Sequence, residues 1–227
     1  MNLLQEFREL IRSVTTWLYF LIGFSFFYFI FPLERSFSII VFENVRNDLL
    51  PTGIKLIVTN PLTAFLTQIQ VAIILAFLTT LPILVYKLMK YFLPALFGQE
   101  KKIILSILFV SVPLFFSGAF FAYLYLLPTT FRVLYPYTSN IGAEPFFSVT
   151  EFISWVSGLI IATGVMFLLP IFMGLLNFLK IVGSDFWRRQ WRYAFLSFLI
   201  FSAIITPDGT GITMMLLYGL GMIIRIN

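Results

Sequence analysis

Charged residues punctuate this chain at wide intervals, and the uncharged stretches between them cover 13–33, 56–86, 103–131, 152–179, 193–207 and 209–224. A helix needs about 20 apolar residues to cross a typical hydrocarbon core. The first four stretches meet that length. The last two, of 15 and 16 residues, reach only about 24 Å at 1.5 Å per residue. Two readings compete for 193–224: two short spans, or a re-entrant hairpin. The turn Thr206-Pro207-Asp208-Gly209 joins the two halves, and its Pro, Asp and Gly all suit a tight reversal. Arg192 and Arg225 then flank both ends on one side, which favours two spans. Short spans imply local bilayer thinning or shielding by neighbouring helices. The pattern predicts an all-α integral membrane protein of six transmembrane helices, with short fifth and sixth spans.

Loop charge sets the orientation, because cytoplasmic loops carry the excess of Lys and Arg. With the N-terminus inside, the cytoplasmic set is Arg8, Arg12, Lys87, Lys90, Lys101, Lys102, Lys180, Arg188, Arg189, Arg192 and Arg225, which is 11 of the 15 basic residues. Arg35, Arg46, Lys55 and Arg132 are the 4 outside. The opposite topology reverses that ratio, so both termini are expected in the cytoplasm.

Residues 34–60 form a long first outer loop, whose SFSIIVFENV reads as an interfacial helix before the turn-forming Leu50-Pro51-Thr52-Gly53. Residues 132–150 form a second outer loop rich in Tyr, Pro, Gly and Asn. Pro82, Pro113 and Pro170 fall inside spans. Proline removes a backbone donor and kinks a helix, so the body is expected to be a proline-kinked, concave bundle. Kinks that only shape packing are an equally good reading. No repeat or soluble domain interrupts the chain, and residues 1–227 read as one membrane domain.

Composition agrees with the pattern. The chain is 60% hydrophobic and 11% charged, whereas soluble domains carry about a quarter charged residues. A net charge of +5 is explained by cationic cytoplasmic loops, without nucleic acid. The opening MNLLQEFRELIRS carries Glu6 and Glu9 and lacks a small-residue cleavage site. It therefore reads as the start of a retained helix.

Candidate chemistry is sparse. The absence of Cys and His removes thiol chemistry and the commonest base and metal ligand; no metal, cofactor or catalytic site is expected. The uncharged runs hold no intramembrane carboxylate, which disfavours a proton-coupled carrier. A solute channel needs polar groups at the midplane, and an intramembrane enzyme needs a catalytic pair at that depth. Gln68, Gln70 and Asn177 lie near span ends, where hydration is the simplest explanation. Two carboxylates remain on the expected cytoplasmic face: Glu6 before the first span and Glu100, beside Lys101 and Lys102, opening the third. Each is explicable as a solvated or helix-start anion. Together they form a site able to bind guanidinium through charge-assisted hydrogen bonds.

Several segments then resemble one family. Leu4-Gln5-Glu6-Phe7-Arg8 is similar to the N-terminal leucine-x-glutamate-leucine-arginine motif of the TatC family, the polytopic subunit of the twin-arginine protein translocase. LPTGIKLIVTNPLTAF (50–65) resembles the entry to its second span. LPILVYKLMKYFLPALFGQEKK (81–102) is the most specific match, with Pro82, Tyr86, Tyr91, Pro94-Ala95-Leu96, Glu100 and the basic pair in register. SGAFFAYLYLLP (117–128) resembles the third-span signature, while Gly164, Phe167 and Pro170 fit the fourth and Thr206-Pro207-Asp208 the last turn. Leu168, Met89 and Leu3 stand where the family often has glutamate, tryptophan and histidine. The glutamine of its sixth span has no clear counterpart here.

The resemblance implies a non-enzymatic receptor of the cell membrane that binds twin-arginine signal peptides of folded cargo at the cytoplasmic face. It implies assembly with TatA/TatB-type single-span subunits, self-association, and transport driven by the proton-motive force. Residue by residue, it assigns Glu6, Arg8, Tyr91, Pro94, Glu100 and Lys102 to signal-peptide binding. Pro51, Tyr123, Pro170 and Asp208 take structural or assembly roles.

Overall fold

The computed structural model describes residues 3–32, 34–50, 55–58, 60–92, 98–132, 146–178 and 200. Among the described residues the α-helices run in the order α1 (Leu3–Ile30), α2 (Phe37–Leu49), α3 (Pro61–Phe92), α4 (Gly98–Phe121), α5 (Val149–Phe167) and α6 (Leu169–Phe178). Four segments among the described residues are long and apolar enough to cross a membrane: Ile11–Ile30, Pro61–Lys87, Leu105–Arg132 and Val149–Leu176. They coincide with the first four uncharged runs. The expected fifth and sixth spans, 193–207 and 209–224, lie outside the described residues apart from residue 200.

The chain divides into two compact units, residues 1–112 with 146–153, and 113–145 with 154–227. In the first, α1 lies along α3. The Trp17 and Phe77 rings meet edge-on at 6.2 Å, and Phe29 meets Phe65 at 5.7 Å. Numbers rise on one helix as they fall on the other, so the pair is antiparallel. Ala72 and Ala76 on α3 are buried; small side chains let membrane helices approach closely.

The helix expected within residues 34–60 is α2. Its apolar residues recur on one side, Ser38 and Leu49 are buried, and Asn44, Arg46, Asn47 and Asp48 face outward. A tilted aromatic contact between Phe27 and Phe37, and an edge contact between Tyr28 and Phe37, tie it to the end of α1. A feature absent from the all-helical expectation follows. Lys55–Ile57 (β1) and Phe146–Ser148 (β2) form a parallel pair, with Lys55 opposite Phe146 and Ile57 opposite Ser148. This pairing ties the segment before α3 to the segment before α5.

In the second unit α4 passes into one π-turn at Ala122–Leu126, closed by the Leu127 N–H donating to the Ala122 carbonyl, and continues helically to 132. The core around it contains Phe115, Leu127, Phe131, Leu159 and Met166. Helical structure breaks at Leu168, whose N–H donates to Val165 three residues back, and resumes as α6 with Pro170 in its first turn. Pro170 has no N–H to offer Met166, so the regular ladder is interrupted there. Pro82 and Pro113 lie inside α3 and α4, which continue through them. Phe109, Tyr19, Phe26 and Phe120 are each more than 60% exposed. Such an apolar exterior suits lipid far better than water.

Candidate functional site

The register of α1 on α3 positions the sequence-derived site. Trp17 and Phe77 are level, and twelve residues further along α1 the partner lies twelve residues back along α3. Eleven residues back from Trp17 is Glu6, and the same step on α3 leads from Phe77 to Leu88. Glu6 therefore sits at the end of the pair where α3 finishes, one turn from the level of Tyr91.

Six peptide steps separate Phe92 from Gly98, the first residue of α4. An extended chain covers at most roughly 20 Å in that distance. Glu100 and Lys102, in the opening turns of α4, are thus held near the same end. The structure brings Glu6, Arg8, Tyr91, Glu100 and Lys102 to one end of the first unit by their helical backbones. Arg8 is exposed. The side chains of Glu6, Tyr91, Glu100 and Lys102, together with Pro94, lie outside the described part of the structure.

The electrostatics of this end are cationic. Arg8, Arg12, Lys90 and Lys101 are exposed and Lys87 is half-buried, and among the described residues none of their charged side-chain groups has an ion-pair or hydrogen-bond partner. Glu9, also exposed, is the acid among the described side chains here. Carboxylates at this end therefore stand against a positive background.

Of the residues given structural or assembly roles, Tyr123 lies in the π-turn, half-buried, and Pro170 at the start of α6 is exposed. Pro51 and Asp208 lie outside the described residues.

Polar side chains missed by the sequence reading cluster at the opposite end of the first unit. Ser36 stands at the N-cap of α2 but its hydroxyl makes no cap. It turns inward, accepting a hydrogen bond from Gln68 Nε2 at 2.9 Å and lying 3.0 Å from the Ser38 hydroxyl. Gln68 is therefore a structural partner of α2, which corrects the expectation that it is merely hydrated. The reason is that α2 folds back over the start of α3 and covers it. Beside it, Thr67 donates to the Thr63 carbonyl at 2.8 Å and meets the Thr150 hydroxyl at 2.7 Å. Thr67's proton being used, Thr150 is the donor. These groups flank a cleft of about 280 Å³ walled by Ile39, Phe42, Val58, Val71 and Val149. The sequence signal was the run Thr63, Thr67, Gln68, Gln70 at the head of an otherwise apolar span. Further out, Arg35 and Glu43 form an exposed ion pair at 2.8 Å, of a kind that contributes little stability.

Comparison with known proteins follows the same lines. Residues 2–219 match the family model described as Sec-independent protein translocase protein (TatC). The chain is 36% identical over 177 residues to the Sec-independent protein translocase protein TatC of Cenarchaeum symbiosum, covering 78% of this chain and 67% of that protein. It is 35% identical over 194 residues to an uncharacterized TatC-like protein, ycf43, of Pyropia yezoensis, covering 86% and 76%. A crystal structure of the twin-arginine translocase receptor TatC superposes with a TM-score of 0.83 at 26% identity, over 97% of this chain and 95% of that one.

Proposed function

The chain belongs to the TatC family, and on that premise we propose that it receives twin-arginine signal peptides through Glu6 and Glu100. As a family member it is a multi-pass membrane component of a Sec-independent protein translocase. In the proposed reading it has six spans and both termini in the cytoplasm, in the cell membrane. It works with TatA/TatB-type single-span subunits and with further copies of itself, and the proton-motive force drives export of folded cargo.

The observation that supports the site is the antiparallel register of α1 on α3, which carries Glu6 to the end where Tyr91 closes α3 and Glu100 opens α4. Each carboxylate accepts one arginine of the signal. Arg8, Tyr91, Pro94 and Lys102 complete the surface. A hydrogen bond to a charged group contributes roughly 1.5–3 kcal/mol, so losing either carboxylate weakens binding by about tenfold or more. The unpaired cations around them, with Arg188 and Arg189 from the sequence, repel stray arginines. Selectivity then rests on the two carboxylates and favours a signal whose two arginines have a fixed spacing. Pro51, Tyr123, Pro170 and Asp208 serve the shape and assembly of the receptor.

The test is site-specific cross-linking of a twin-arginine signal peptide to the protein in membranes, paired with export of a folded twin-arginine reporter. Glu100→Gln reduces both about tenfold or more while leaving membrane insertion intact. Undiminished cross-linking to that variant refutes the assignment.

A further inference from the structure

Helix α1 turns Trp17 and Phe29 to α3 and leaves its opposite side uncovered, with Tyr19 71% and Ile22 62% exposed. Two features line up on that side. Arg12 is exposed near the cationic end, without ion pair or hydrogen bond to its guanidinium. Eleven residues on, Gly23 forms the floor of an open groove of about 410 Å³ walled by Tyr19, Phe20, Phe24 and Phe27. Eleven residues are three turns to within about 20°, so Gly23 lies in line with Arg12 at roughly 16 Å along the axis. A Cβ built on Gly23 would meet nothing within 4 Å.

Charge and distance together say what fits. Arg8 and Arg12 are one turn apart with like charge, an arrangement that is unfavourable unless an anion lies between or beside them. Glu9, exposed on the same turn, pairs with neither. The interval from Arg12 to the groove matches one leaflet of a hydrocarbon core about 30 Å thick. A molecule with an anionic head and an apolar tail of that length satisfies both ends.

We propose that α1 carries a binding site for an anionic diacyl phospholipid, its phosphate held by Arg12 and one acyl chain lying in the aromatic groove over Gly23. Arg12 borders the proposed signal surface, one turn from Arg8, but neither Arg12 nor Gly23 is among the residues assigned to signal binding.

Native mass spectrometry of the full chain in detergent, titrated with phosphatidylglycerol or with phosphatidylcholine of the same acyl chains, tests this. The wild type retains phosphatidylglycerol about fivefold or more tightly than phosphatidylcholine, the preference one arginine supplies near a lipid headgroup. Arg12→Gln brings the two lipids to similar retention. Gly23→Leu, whose Cβ meets nothing within 4 Å and whose longer side chain enters the groove, weakens retention of both. The proposal fails if the wild type shows no headgroup preference, or if both variants retain lipid as the wild type does. It also fails if Gly23→Leu leaves lipid retention unchanged but alters the number of copies in the particle, since the groove is then a contact between copies.

Discussion

The ring of Phe115 occupies the space that a side chain at position 164 would need: a Cβ built on Gly164 would stand 2.6 Å from Phe115 Cε2. The relation is reciprocal, since a Cβ on Gly118 would stand 2.8 Å from Phe167 Cγ. Each helix of the second unit thus offers a glycine to a phenylalanine of the other. Phe115 is 1% exposed, so a shift of its ring must displace other packed groups. Gly164→Ala is expected to cost about 1–3 kcal/mol through overpacking. Thermal unfolding in detergent measures it. Phe115→Leu in the same chain should recover part of the loss, because residues in contact are coupled. Gly174→Ala is the control: nothing lies within 4 Å of its Cβ, and the change should be neutral or slightly stabilising.

A second prediction concerns the polar chain from α3 to α2. Ser36 is 6% exposed and its hydroxyl accepts the hydrogen bond from Gln68 Nε2. Ser36→Ala leaves that amide facing an apolar methyl group, and an unsatisfied buried donor costs about 1–3 kcal/mol. The loss should appear as faster hydrogen exchange at the backbone amides of α2, with those of α1 little changed. Equal acceleration in both helices would mean that the bond does not specifically hold α2.

What was legible in the sequence, and what was not, has a physical division. A membrane span is a property of one contiguous segment, so the gap between Arg12 and Glu34, or between Lys55 and Lys87, announces a helix directly. The amphipathic 37–49 stretch is equally local. The β1–β2 pair is not: it joins Lys55 to Phe146, ninety-one residues apart, through three-residue strands too short to show a period. The inward turn of Ser36 and the service of Gln68 also depend on a neighbour that only the fold supplies. Gly118 and Gly164 appeared in the sequence as members of familiar patterns. Their reason, room for Phe167 and Phe115, is tertiary. For the candidate site, Glu6 and Glu100 were visible as carboxylates near the heads of spans, but their shared end required the α1–α3 register.

Thr163 supplies a third prediction of opposite sign. It is fully buried on α5 and, among the described residues, its hydroxyl has no hydrogen-bond partner. Burying a hydroxyl without a partner is unfavourable, and valine has nearly the same shape. Thr163→Val should therefore keep or raise the melting temperature, whereas Thr→Val at position 130, whose hydroxyl donates to the Leu126 carbonyl at 2.8 Å, should not raise it. A marked fall for Thr163→Val would show that the hydroxyl is needed by something bound there.

The last prediction separates a paired recognition site from a diffuse acidic patch. If Glu6 and Glu100 each take one arginine, replacing one signal arginine by lysine removes the planar, bidentate partner of one carboxylate only. Against the wild type, each single replacement should weaken binding. Against Glu100→Gln, the arginine that faced Glu100 has already lost its partner. Its replacement should then cost little, while replacing the other arginine should keep its full effect. Glu6→Gln should give the converse pattern. The measurement is a double-mutant cycle of peptide affinity for the purified protein, where coupling well above about 0.5 kcal/mol marks direct interaction. Equal penalties from both replacements in every background would mean that the two carboxylates act as a common negative field. The spacing of the arginines would then need another explanation.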